Sequence, residues 1–241
     1  MEELLALLER YSPGYRETIH GVFDWRLDEL EEEFGRPLPT FYKSFATTMG
    51  QQGGPLLAHV NVREPLHIAF LYESIAGEMP PRRFLFIFGD PDPLAPYHYW
   101  LDLEAPSEEG DGQVVRMPFG ENAWIDKLHR DFISLREMLF LWAMEAVHLP
   151  SFPYQARYHR GKGPKAGTAE DLARLLEKTG FNRLPYPRHS MLFEREDAAI
   201  RLYRLPDDST FDIRVGMHSA EQLSHFQALI EDNSDLERSR W

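Results

Sequence analysis

The chain contains no cysteine, which excludes disulfides, thiolate metal ligands and a cysteine nucleophile. No stretch approaches the roughly 20 apolar residues of a membrane-crossing helix, so no membrane partner is expected. The opening Met-Glu-Glu-Leu-Leu lacks the basic region of a secretory signal, and the expected location is cytoplasmic. Positive charge is short as well: 26 Lys and Arg face 39 Asp and Glu, a formal net charge of −13. That balance opposes the phosphates of a nucleic acid, so none is expected as a partner. Catalytic signatures are equally scarce. No Gly-x-Ser-x-Gly elbow occurs, and Gly161-Lys162-Gly163 lacks the spacing of a phosphate-binding loop.

What remains is ample material for a core, since 43% of the 241 residues are hydrophobic. The negative charge is unevenly placed. Residues 1–150 hold 12 Lys and Arg against 25 Asp and Glu, whereas residues 151–241 hold 14 of each. An acidic surface of this kind steers towards basic partners, although solubility alone also favours it. The charge boundary coincides with a change of texture. Residues 151–167 are rich in Pro, Gly and base without a sustained period, and read as a linker. Three parts are therefore expected: a domain over 1–150, the linker, and a small C-terminal unit over 168–241.

Within the first part, Leu4, Leu5, Leu7 and Leu8 give residues 2–10 a broad apolar helical face. Phe23, Leu27, Leu30 and Phe34 recur at helical spacing, and Tyr42, Phe45 and Met49 repeat the pattern. Between these stripes Gly35 suits the left-handed residue past a helix end, Pro37 cannot continue that helix, and Pro39 can open the next. Residues 56–75 fit strand or helix. Residues 84–88 form an apolar run suited to a central strand, and 97–103 with 113–117 read as a hairpin around 104–112. Ser134 with Glu137 marks the start of another helix. In the last part, capping boxes at Thr168/Asp171 and Ser219/Gln222 bracket strands at 191–194, 200–204 and 211–217. That order predicts an α-β-β-β-α unit of about seventy residues. A lone core is thin at that size, which favours docking on the first domain.

The segment from Trp25 through Leu30-Glu31, Gly35, Leu38-Pro39, Tyr42 and Phe45 to Gly50 resembles the start of the SUKH superfamily. That group includes fungal Smi/Knr-type regulators of cell-wall assembly and many bacterial immunity proteins. Residues 86–90, 99–103 and 114–115 look like its sheet strands, and 133–139 like its closing helix, so the resemblance spans roughly 20–145. The chain departs from the family at Met49, where Asn is frequent, and at Asp90-Pro91-Asp92-Pro93, where Gly-Asp is usual. The resemblance implies an α+β fold: a twisted, mostly antiparallel sheet with helices packed on one side. It also implies a protein-binding role, with toxins as the usual partners of the bacterial members.

Candidate chemistry is thin. His98 and Asp102 lie four residues apart on a predicted strand and make at most half a metal site. Glu145 and His148 form one Glu-x-x-His, where a di-metal bundle needs two. His218 and His225 straddle a helix start without ligand spacing. No metal or other cofactor is expected. Asp90, Asp92, Asp102 and Glu104 would suit a hydrolase if they converged on one cleft. A more suggestive group sets Tyr97, Tyr99 and Trp100 beside Asp90, Asp92, Asp102, Glu108, Glu109 and Asp111. Tyr and Trp anchor interfaces, and carboxylates around them select a basic partner. The competing reading buries Trp100 in the core and leaves the two tyrosines on its flank. The expectation is a non-catalytic binding module of the immunity type that occludes a basic protein toxin. The alternatives are a Smi/Knr-type regulator or scaffold, and a hydrolase using the clustered carboxylates.

Overall fold

The helical stripes form where their spacing places them. In a computed structural model, which describes residues 1–62, 65–94, 96–107, 110–160 and 168–239, helix α1 runs Glu2–Tyr11 with Leu4, Leu5, Leu7 and Leu8 buried. The elbow is α2, Asp24–Phe34, followed by α3, Thr40–Met49. Gly35 ends α2 in the left-handed region at φ 64°, and its N–H reaches back to the last carbonyls of the helix. Pro39 stands just ahead of α3 as its flanking residue. Leu27, Leu30 and Phe34 are buried, each side chain worth about 2 kcal/mol of apolar transfer. Phe23 departs from the predicted stripe: it precedes the helix in extended backbone and is 75% exposed.

The first compact unit, Met1–Leu139, holds a short pair β1, Ile19–His20, and β2, Gln52–Gly53, together with a five-stranded sheet. The sheet comprises β3, Asn61–Val62; β4, Phe84–Gly89; β5, His98–Ser107; β6, Asp111–Met117; and β7, His129–Phe132, in that spatial order. Every pairing in it is antiparallel. The ambiguous 56–75 region resolves into a 3₁₀ turn, β3 and helix α4, Pro65–Ser74, which buries Ile68 and Tyr72.

Both faces of β4 are covered. Phe86 pairs across with Trp100, and Phe119 packs on both rings. Past a bulge in β4, Phe88 pairs instead with Tyr99 and therefore faces the other way, where Phe45 of α3 meets it edge-on. The stretch that carries Phe119 continues into the single turn α5, Ala123–Asp126.

Helix α6, Leu135–Trp142, begins after Ser134, whose hydroxyl accepts from the Glu137 N–H as predicted, and runs on through a π-helical stretch, Ala143–His148. The second compact unit is Phe140–Trp241. Its six-stranded sheet contains β8, Tyr154–Arg160; β9, Asn182–Arg183; β10, Met191–Arg195; β11, Ala198–Arg204; β12, Phe211–Met217; and β13, Leu236–Arg238. The spatial order is β13-β8-β12-β11-β10-β9. Helices α7, Ala169–Lys178, and α8, Ala220–Asn233, open with the two predicted capping boxes, each reciprocal.

The predicted linker requires correction. Its residues 154–160 form an interior strand, because Ala156 and Tyr158 alternate inward while Arg157 and His159 alternate outward. Residues 161–167 lie outside the described residues. The C-terminal unit is accordingly larger than α-β-β-β-α and begins before residue 151. Both units combine helices with antiparallel sheet, so the fold class is α+β. Among the described residues no helix is long and apolar enough to cross a membrane.

Candidate functional site

The residues expected to form one acidic-aromatic patch divide along β5. That strand has ten residues, which at about 3.3 Å each separates its ends by roughly 30 Å. Asp90, Asp92 and Tyr97 lie in the β4–β5 connection at its start, while Asp111 opens β6 at its far end, paired with Ser107. Glu108 and Glu109 lie outside the described residues. Asp90 and Asp111 therefore stand at opposite ends of β5.

Three members are also inaccessible. Trp100 is fully buried and donates its indole N–H to the Met117 carbonyl at 3.0 Å, so it is core. Asp102 is 2% exposed and clasped by Arg83 through two 2.7 Å bonds, with the Glu104 N–H as a further donor. Asp111 is 4% exposed and accepts from the backbone N–H of Gly112 at 2.7 Å and of Arg136 at 2.8 Å. The Arg136 N–H belongs to the first turn of α6, so Asp111 satisfies a helix end from another strand. Burial pushes the Asp111 carboxyl up to about 6, against the opposing pull of those N–H donors and of Arg136. These are structural carboxylates.

The connection at residues 90–97 has the other character. The Asp90 carboxylate accepts from the N–H of Asp92 and of Tyr97, both at 3.0 Å, and from the Arg116 guanidinium at 3.1 Å. Burial would raise its pKa, but these donors outweigh it and hold Asp90 below the usual carboxylate range. Asp92 repeats the device on a smaller scale, accepting from the Leu94 N–H at 2.9 Å. Asp-Pro-Asp-Pro is thus turn chemistry, in which each aspartate stands in for a backbone acceptor two residues ahead. The consequence is exposure of an apolar side chain: Leu94 is 92% exposed, the most exposed large hydrophobic residue described.

Arg116 braces this end of the sheet. It lies opposite Tyr99 in the β5–β6 ladder with its guanidinium 4.9 Å from that ring, and its Nε donates to the Tyr97 carbonyl at 3.1 Å. It also approaches Asp131 at 3.7 Å. Asp131 is the extra residue of a β-bulge in β7, and burial raises its carboxyl despite Arg116 and His129. Tyr97 packs edge-on to His129 with ring centroids 5.3 Å apart. Tyr97 and Tyr99 are half-buried, so they form the flank of the loop and not its tip. Sequence reasoning missed Arg116 and Leu94. Arg116 was within reach from the hairpin, but a loop left as wide as 104–112 did not fix the register that pairs it with Tyr99.

Of the carboxylates considered for hydrolysis, Asp102 and Glu104 meet at Arg83, and Asp90 is bound to a different arginine. Asp90 is held by Arg116 and Asp102 by Arg83, and Glu104 lies 3.7 Å from both Arg36 and Arg83. The His98–Asp102 pairing also fails as half a metal site. Asp102 is committed to Arg83, and His98 Nδ1 accepts from the Asp90 N–H at 3.1 Å. Glu145 is occupied by Arg201 and Arg214. Among the described residues no group of three or more His, Cys, Asp or Glu side chains could hold a metal ion. No family model matches the chain, and no curated protein matches it.

Proposed function

We propose that the protein is a non-catalytic binding module of the SUKH immunity type, which neutralises a basic protein toxin by covering its working surface. One observation carries the reading: a braced, acidic turn at residues 90–97 that holds an exposed Leu94 beside Asp92. An apolar anchor on a rigid base costs little ordering on association, and a carboxylate rim selects a cationic partner and speeds its approach. The net charge of −13 extends that steering over long range. The carboxylates a hydrolase would need are bound to arginines and backbone N–H groups, which suits bracing better than proton transfer. The contact set narrows accordingly to Asp92, Leu94 and Tyr97, with Asp90 and Arg116 behind them.

The test pairs the chain with the toxin domain encoded in the adjacent reading frame. Co-expression is expected to protect the cell, and L94D or D92K to abolish protection while leaving the far-ultraviolet circular dichroism unchanged. Full protection by both variants removes the site. Absence of any complex with the toxin removes the immunity reading, and an endogenous cellular partner in its place supports the regulator reading.

A further inference from the structure

The face of the second unit's sheet opposite the α7 and α8 core is closed at Leu192, Ala199 and Arg201, is more open at Arg157 and Arg214, and carries a row of like charges. Arg201 of β11 lies opposite Arg214 of β12, and Arg214 lies opposite Arg157 of β8. Three arginines therefore stand in one row on adjacent strands that lie about 4.8 Å apart. Like charges placed directly opposite in a ladder are unfavourable. The other face of the same strands is the apolar core, with Tyr158, Ile200, Ile213 and Val215 directed inward.

Only two carboxylates answer the three arginines. Asp212 bonds Arg201 at 2.6 Å and Arg157 at 2.9 Å. Glu145 lies 3.0 Å from Arg201 and 2.6 Å from Arg214. No third carboxylate approaches any of them within ion-pair distance among the described residues. The row keeps one positive charge in excess, and its members differ in access. The Arg201 side chain is closed off at 6% exposure, whereas Arg157 and Arg214 keep 40% and 31%. The Nε atoms of Arg201 and Arg214 are both buried with no hydrogen-bond partner among the described residues, and of these two only Arg214 keeps an accessible side chain. Burial first, then the charges of Arg201 and Arg157, holds Arg214 below its ordinary value even with Glu145 opposing. Glu145 itself projects from the π-helical stretch Ala143–His148, and such wide turns recur at functional sites.

We propose that Arg157 and Arg214 bind the carboxylate of a monoanionic ligand on this face. A planar carboxylate matches the forked donors of arginine, and a single negative charge completes the row. A phosphate dianion would overshoot that balance and meet Asp212 and Glu145. The same chemistry is offered by a free small acid and by an Asp or Glu side chain of a protein.

The experiment is a titration of the ¹⁵N-labelled full chain at constant ionic strength, following the arginine Nε–Hε signals. Sodium acetate is expected to shift Arg214 and Arg157 saturably, while sodium chloride does not. R157Q, at the more exposed position, is expected to weaken acetate binding about tenfold, as for loss of one charge-assisted contact. R214Q is expected to abolish it. N-acetyl-glutamate amide distinguishes the sources, since tighter binding than acetate indicates a protein-borne side chain and equal binding a free acid. Unsaturable shifts, equal response to chloride, unchanged binding in R157Q, or phosphate binding tighter than acetate would each overturn the proposal.

Discussion

Arg83 and Asp102 form an ion pair of two 2.7 Å bonds whose partners differ sharply in exposure, 32% for the arginine side chain against 3% for the aspartate. The asymmetry makes the two deletions unequal. D102A leaves a guanidinium that can turn to water, while R83A leaves an anion buried with the Glu104 N–H as its one remaining donor among the described residues. R83A is therefore expected to cost about 3–5 kcal/mol and D102A roughly half as much. Urea unfolding of both variants checks this, and the reverse order would show that Asp102 is better hydrated than its burial indicates.

Asp111 supplies a pH dependence of opposite sign to that of most paired carboxylates. Its folded carboxyl titrates near 6, above the ordinary 3.8. Between those values the folded state holds more proton than the unfolded chain, so this group's contribution to stability increases as pH falls from about 6 to about 4. The gain is at most about 3 kcal/mol. D111N is expected to remove that slope, which appears as a difference between wild-type and variant unfolding free energies measured from pH 4 to 7. D111A also orphans the Gly112 and Arg136 N–H groups and is expected to lose a further 1–3 kcal/mol or so at every pH.

Two glycines separate crowding from backbone freedom. A Cβ on Gly21 would lie 1.7 Å from the Thr47 carbonyl oxygen, where the chain runs against α3 and the Val22 N–H bonds the Ala46 carbonyl. Gly35 has open space around the same position but sits at φ 64°. G21A is expected to cost about 3 kcal/mol or more, because backbone must move. G35A is expected to cost about 1 kcal/mol, from the left-handed conformation alone. Chemical denaturation of both variants distinguishes the two mechanisms by magnitude.

Local signals in the sequence carried most of the helices and hairpins. Gly35, the Thr168/Asp171 and Ser219/Gln222 boxes, and the strict alternation of Phe211, Ile213, Val215 and Met217 each act within a few residues, and each appears where it is expected. Strand β8 was not legible, because its inward residues are only Ala156 and Tyr158 amid base and polar groups. Its place in the sheet comes from pairing with β12, more than fifty residues later. The burial of Trp100, Asp102 and Asp111 was illegible for the same reason. Alternation identifies Trp100 and Tyr99 as facing opposite ways but not which face is closed, and that depends on Phe119 and Phe45. The fates of Asp102 and Asp111 depend on Arg83 and on the start of α6, 19 and 25 residues away in the chain.

The brace behind the 90–97 turn can be tested without any partner. Asp90 holds the N–H groups of Asp92 and Tyr97 and is itself anchored by Arg116, whereas Leu94 contributes its side chain only to solvent. D90A removes both acceptors, each bond to a carboxylate being worth about 1.5–3 kcal/mol. The amides of Asp92 and Tyr97 are then expected to exchange with deuterium some ten- to a hundredfold faster, because local opening there no longer breaks those bonds. R116M removes the anchor but leaves the Asp90 acceptors in place, so its acceleration should be smaller. L94A should leave exchange unchanged, which separates the residue that presents itself from the residues that hold it. Equal exchange in D90A and wild type would mean that the turn is fixed by its prolines and Tyr97 packing instead, and that the rigid base assigned to the contact loop does not depend on Asp90.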